Sequence, residues 1–220
     1  MIPIRDNVPS RRFPWINTLL IVGNVYSFIS LISISSPTAI EKYIYRNSVI
    51  PSLFLKAPTE NFLRVFTAMF IHGGWAHLIG NMLFLYIFGD NVEDELGHIG
   101  YAFFYIFCGI CAALSQIYVN PESVLPMIGA SGAIAGVLGA YIVFFPRAKV
   151  LTLVPLGFFI QTIEVPAFLF LGVWFIMQAL SGTSSLYVSR TLGQDVGGVA
   201  WWAHAGGFLS GTLIAIVHSI

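Results

Sequence analysis

An all-α polytopic membrane protein, a bundle of six transmembrane helices, is the fold class that three observations predict. Of the 220 residues, 57% are hydrophobic and only 9% are charged, against roughly 25% charged in a soluble domain. The few charges are spaced so that six apolar segments lie between them, and a span needs about 20 mostly apolar residues. No internal repeat and no soluble insert is visible, so residues 1–220 read as one membrane domain.

Taken in order, residues 1–14 form a short tail carrying Arg5, Arg11 and Arg12. The first segment, Trp15 to Ser35, is free of Asp, Glu, Lys and Arg. It is about twice as long as many signal-peptide cores and lacks a clear small-residue cleavage site, so it reads as a retained anchor. Residues 36–74 are a long first loop whose stretches SVIPSLFLKAP and FLRVFTAMF are too apolar for a solvated linker. They are expected to fold into the outer leaflet. Val65 to Gly89 is again uncharged but holds His72 and His77. Ile99 to Val119, Leu125 to Phe145, Val165 to Leu180 (continuing to Ser189) and Val196 to Ile220 supply the remaining spans. Cys108 and Cys111 lie three apart in one apolar run, where they read as buried free thiols rather than a bridge between exposed loops.

Charge gives an orientation and excludes one class of partner. Ten Lys and Arg balance ten Asp and Glu, so no basic surface for nucleic acid is implied. Arg5, Arg11 and Arg12 before the first span and Arg147 and Lys149 after the fourth fall on one side of an alternating bundle. Lys42, Arg46, Lys56, Arg64 and Arg190 fall on the other. The basic residues nearest the first span usually dominate, which puts both termini in the cytoplasm of a cell-membrane protein.

Spans two, four and six then run from the outer face inward, and each begins with unusual polar residues: HGGWAHLIGN, GASG and WWAHAGG. His77 and Asn81 are four apart and share a helix face. Ser131, Ala135 and Gly139 form one small-residue ridge on the fourth span, and Gly132, Gly136 and Ala140 the next. The sixth repeats Ala203, Gly207, Gly211 and Ala215. Small residues at every fourth position let transmembrane backbones approach closely, and packing these faces together brings Ser131 near His204. A serine oxygen is a weak nucleophile unless a base takes its proton, and the oxyanion that develops needs preorganised donors. Ser131 with His204 could supply the first; His77, Asn81 and the Ser131 backbone N–H at a helix N-terminus could supply the second. No carboxylate lies in these spans to complete a triad.

Each feature has a plainer reading. GASG is commonly a helix-packing surface, a transmembrane histidine is commonly a structural hydrogen-bonding residue, and His77 and Asn81 could tie helices together. His72, His77 and His204 could bind zinc, although no HExxH motif accompanies them. The convergence of all these residues at one depth on three helices of the same direction is what packing alone does not predict.

From about Arg64 to Gly211 the chain resembles the rhomboid family of intramembrane serine proteases. The resemblance is carried by His72, His77 and Asn81 in H-x4-H-x3-N, Glu93 and Gly97 in E-x3-G, Gly129 to Gly132 in G-x-S-G, and His204, Gly207 and Gly211 in A-H-x2-G-x3-G. It implies that Ser131 is the nucleophile and His204 the general base. His77 and Asn81 become oxyanion donors together with the Ser131 N–H. His72, Gly129 and Gly132 support the site, and Arg64 and Glu93 are structural. Ala135 stands one turn below the serine, where some members of the family carry an aromatic ring against the histidine, so other neighbours must orient His204. The function implied is cleavage of peptide bonds in or beside the transmembrane segments of single-span membrane proteins, with Trp174 and Phe175 on span five as a lateral gate. The partners are those substrates and the lipid bilayer, and no cofactor or metal is implied. The rival reading is a non-catalytic relative that binds transmembrane helices. A transporter is a weaker third, since it would be expected to show broken helices or a repeat.

Overall fold

The computed structural model describes residues 2–156, 159–192 and 199–220. Helix α1 (Trp15–Ile32) follows strand β1 (Ile2–Asp6). Four short helices come next: α2 (Pro37–Asn47), α3 (Pro51–Lys56), α4 (Pro58–Asn61) and α5 (Arg64–Ala68). Then follow α6 (Trp75–Val119), α7 (Ser131–Phe144), β2 (Lys149–Leu156), β3 (Phe159–Pro166), α8 (Ala167–Leu192) and α9 (Trp201–His218). Among the described residues, α1, α6 and α8 are long and apolar enough to cross a membrane. The sixth apolar segment was read from Val196, but 196–198 lie outside the described residues and its helix begins at Trp201.

Helix α6 is 45 residues long, about 67 Å at 1.5 Å per residue, twice the thickness of a hydrocarbon core. It is broken at Gly97, whose φ of 70° and ψ of 161° are not helical. Glycine adopts that conformation without the steric cost a Cβ brings. The two arms, 75–96 and 98–119, therefore correspond to the second and third apolar segments of the sequence. Glu93, one turn before the break, satisfies a different helix. Its carboxylate accepts the backbone N–H of Ile16 (3.0 Å) and Asn17 (2.7 Å) in the first turn of α1, where no local side chain caps the helix. Negative charge at a helix N-terminus is favourable on electrostatic grounds as well. Asp94 accepts the N–H of Arg11 and Arg12, and Asn17 joins the pair by donating to the Leu85 carbonyl and accepting from the Tyr101 hydroxyl. The E-x3-G signature thus ties α1 to α6 at the point where α6 reverses.

The first loop is built from short helices, as its apolar stretches require. Val49, Phe54, Val65 and Ala68 form a separate small core with Ala113 and Ile117 of the second arm of α6. The fourth apolar segment, read from Leu125, is helical only from Ser131. Pro126 removes a backbone donor and Gly129 has a φ of 114°, so residues 125–130 approach α7 as irregular chain. That chain is held by Gly129 N–H donating to the Ala68 carbonyl (2.9 Å) and by a bridge between Val49 and Met127.

One element departs from the purely helical reading. The tail and the connection after α7 form an antiparallel three-stranded sheet in the order β1-β2-β3. Ile2 pairs with Leu153 and Asp6 with Val150, while Lys149 pairs with Pro166. The Tyr141 hydroxyl of α7 donates to Asp6 and draws the sheet onto the bundle. Val150 and Thr152 are fully buried beneath it. Alternation of β-branched residues across KVLTLV and QTIEV is the sequence signal for these strands. Because β1 lies against β2, the segments that carry Arg5 and Lys149 are in direct contact.

Candidate active site

The seam between α7 and α9 sets the site. A Cβ added to Gly207 would lie 2.0 Å from the Gly132 carbonyl oxygen, and one on Gly211 would lie 2.0 Å from that of Gly136. On the other helix, a Cβ at Gly139 would meet the Phe208 carbonyl oxygen at 2.2 Å. The backbones touch, as the four-residue spacing of small side chains implies. Gly132 and Gly136 serve a second neighbour too, facing Ala112 and Cys108 of α6 at 2.6 and 2.5 Å from where their own Cβ atoms would stand. Cys108 and Cys111 are both free.

With the helices this close, His204 Nε2 lies 2.7 Å from Ser131 Oγ. Ser131 is the first residue of α7, so its own N–H is among those left without an intrahelical partner. His204 occupies the first turn of α9 and is only 8% exposed. The start of α9 is capped from a neighbouring helix: Gln116 Oε1 on α6 accepts the N–H of Trp202 (3.1 Å) and Ala203 (3.3 Å).

His77 and Asn81 face the same spot from the first arm of α6. The His77 Nδ1 accepts the Gly73 N–H at 3.4 Å, so in the neutral ring the proton sits on Nε2. That nitrogen stands 2.6 Å from where a Gly129 Cβ would be, and Asn81 Nδ2 stands 3.6 Å from the same point. Only glycine fits there, both because of the φ of 114° and because a side chain would run into the His77 ring. Asn81 Nδ2 also lies 2.9 Å from His72 Nε2, and His72 is buried at 1% exposure with its ring 5.0 Å from that of His77. His72 thus lies behind Asn81. Among the described residues no group of three His, Cys, Asp or Glu side chains is arranged to hold a metal ion.

A cavity of about 780 Å³ joins these groups. It is lined by Trp75, His77 and Asn81 from α6, Ser131 from α7, Trp174 and Gln178 from α8, and His204 from α9. The N-terminal ends of α6, α7 and α9 therefore meet at one place. Trp174, anticipated as a gate residue, lies 5.7 Å from the His204 ring at an interplanar angle of 32°. It is the aromatic neighbour that Ala135 does not provide. Phe175 stacks on Phe208 of α9, centroids 4.5 Å apart. Two residues at the site escaped the sequence reading. Gln116 is one; Gln178, whose Oε1 is 2.7 Å from His204 Nδ1, is the other. The available signal for Gln178 was its position as the sole polar side chain in 167–180, one turn after Trp174.

A mostly helical, apolar chain of this kind belongs to the class of multi-pass membrane proteins, and its serine–histidine pair, half-buried at the serine and buried at the histidine, opens on a shared cavity. The sequence profile of the Rhomboid domain matches residues 59–219, and the chain belongs to the rhomboid family. It is similar to Rhomboid-like protein 11, chloroplastic, of Arabidopsis thaliana, at 31% identity over 76% of this chain and 55% of that protein. It is also similar to Rhomboid protein 1, mitochondrial, of Saccharomyces cerevisiae, at 33% identity over 42% of this chain and 28% of that protein. A third relative, YdcA of Bacillus subtilis, has the words "rhomboid protease" in its name and is 30% identical over 36% of this chain and 39% of its own length. The chain matches about half the length of the Arabidopsis relative and smaller shares of the other two.

Proposed function

We propose that the protein is an intramembrane serine endopeptidase that cuts peptide bonds in or beside the transmembrane segments of single-span membrane proteins. The observation that carries this reading is the 2.7 Å approach of Ser131 Oγ to His204 Nε2 at the wall of a cavity of about 780 Å³. In the reaction, His204 Nε2 takes the hydroxyl proton as Ser131 Oγ attacks the substrate carbonyl. The oxyanion is met by His77 Nε2–H, Asn81 Nδ2–H and the Ser131 backbone N–H. The imidazolium then protonates the leaving amine, and a water activated by the same nitrogen releases the acyl group from Ser131. Hydrolysis inside a bilayer needs a water-filled space, and the cavity supplies one of suitable size.

Six helical rods cross the membrane in this reading: α1, the two arms of α6, α7, α8 and α9, within a single membrane domain that spans residues 1–220. At 14 residues α7 is about 21 Å long, shorter than a hydrocarbon core of about 30 Å. Its N-terminus, and Ser131 with it, therefore sits below the outer surface when its other end reaches the inner one. The protein lies in the cell membrane with both termini in the cytoplasm, and a substrate helix enters beside α8 past Trp174 and Phe175. Covalent labelling of Ser131 by a fluorophosphonate, together with cleavage of a single-span reporter, tests the proposal. Binding of reporter helices with neither labelling nor cleavage would establish the non-catalytic alternative.

Two expected results follow from the geometry. Asn81→Ala should lower kcat by roughly one to three orders of magnitude with little change in KM, since an oxyanion donor acts mainly in the transition state. Steady-state kinetics in detergent decide this, and an effect confined to KM would assign Asn81 to substrate binding. EDTA and phenanthroline should leave turnover unchanged, because Asn81 and Ser131 engage the Nε2 atoms of His72 and His204. Inactivation reversed by zinc would make those histidines ligands.

A further inference from the structure

We infer that Gln178 is a positioning residue for His204, so that the base is set by a third side chain carried on the gate helix. This inference rests on the proteolytic reading of the same site. A neutral imidazole has one N–H. To accept the Ser131 proton, His204 must keep Nε2 free and carry its own proton on Nδ1, and an Nδ1–H in a buried place needs an acceptor. Gln178 Oε1 stands 2.7 Å from Nδ1, and Gln178 and His204 are only 7% and 8% exposed, so water competes little for either. The amide orientation matters. With the oxygen toward the ring the productive tautomer is selected; with the NH2 group toward it, Nε2 would hold the proton and Ser131 would lose its acceptor.

The bond also changes during the reaction. When the proton passes from Ser131 Oγ to Nε2, the ring becomes an imidazolium, while Nδ1–H stays on Nδ1 and its bond to Gln178 becomes charge-assisted. An interaction that strengthens toward the transition state contributes to kcat rather than to substrate affinity. An amide does this without placing a negative charge in an apolar bundle, which a carboxylate would. Among the described residues lining the cavity, the titratable group that faces His204 from a neighbouring helix is His77 on α6. The side of the cavity formed by α7 and α8 is given by Ser131, Ile134, Leu138, Trp174 and Gln178, none of them charged. Packing alone would also place a glutamine between α8 and α9, so the test needs readouts that mere tethering would not move.

Cleavage of a single-span reporter and fluorophosphonate labelling are measured for wild type, Gln178→Met and Gln178→Glu in detergent. Methionine keeps the shape without the acceptor, and should lower kcat about tenfold, the worth of roughly one net hydrogen bond, with KM unchanged and labelling slowed in proportion. Glutamate restores an acceptor, so kcat should return toward wild type. Its anion also favours the imidazolium, so the acid limb of the pH–rate profile should move to higher pH. Wild-type kcat in Gln178→Met, or an unmoved acid limb in Gln178→Glu, would overturn the inference while leaving the protease reading intact. If Gln178→Met unfolds at a lower temperature, the acid-limb shift of Gln178→Glu decides alone. A wild-type protein that is neither labelled nor active would remove both.

Discussion

Ser131→Ala is expected to reduce cleavage of a single-span reporter to background while leaving the thermal unfolding temperature within a few degrees of wild type. The change removes one oxygen and one hydrogen bond, 2.7 Å long, to His204, worth about 1 kcal/mol in stability. Alanine is a good residue for the first turn of α7. His204→Ala should abolish activity to the same extent, because members of a nucleophile–base pair act as a unit. Its stability should fall further, since the lost ring is buried against Trp174 and Gln178. Activity and melting curves measured together separate the two effects. Substantial turnover in Ser131→Ala would end the serine-protease reading.

The second large effect is structural. Gly207→Val should lower both stability and cleavage, because the first added carbon would already lie 2.0 Å from the Gly132 backbone oxygen and 3.4 Å from Ala135 Cβ. Backbone cannot turn aside as a flexible side chain can. The cost should reach at least the roughly 1–3 kcal/mol of a typical overpacked site, and the separation of α7 from α9 would pull His204 away from Ser131. Gly198, which precedes α9 in the sequence, lies outside the described residues, so the control is Gly172→Val on α8, where a Cβ meets nothing within 4 Å. Melting temperature and reporter cleavage are read for both variants. A Gly207→Val protein with wild-type values would mean that α9 does not meet α7 through this face.

Much of this site could be read from the chain because its geometry is written in helical spacing. Gly132, Gly136, Gly207 and Gly211 announce a close helix crossing, and a close crossing fixes the distance between the first turns of α7 and α9. His77 and Asn81 share a face for the same periodic reason. What escaped lies where spacing carries no information about partners. Gln116 and Gln178 act across helices, one on the first turn of α9 and one on His204, and a lone amide in an apolar run does not reveal which neighbour it will meet. Nor does spacing reveal that the Trp174 ring lies against His204. Hydropathy starts the fourth span at Leu125, six residues before α7, because it continues through Pro126 and Gly129 although the backbone there is not helical. The sheet is hard to read from the chain because the alternation in 149–154 and 161–165 is short and lies between long apolar spans.

That sheet imposes an order on biosynthesis. Strand β1 precedes α1 and is synthesised well before its partner β2, which begins at Lys149. At about 5–20 residues per second the two are separated by on the order of ten seconds of synthesis. Throughout that time the first strand is an unpaired edge, and no local contact can substitute for a partner so distant in the chain. Its closure onto β2 cannot precede the synthesis of α7, whose Tyr141 reaches Asp6. A paired tail thus marks a chain whose serine-bearing helix has already been made, while α8 and α9 can still be emerging.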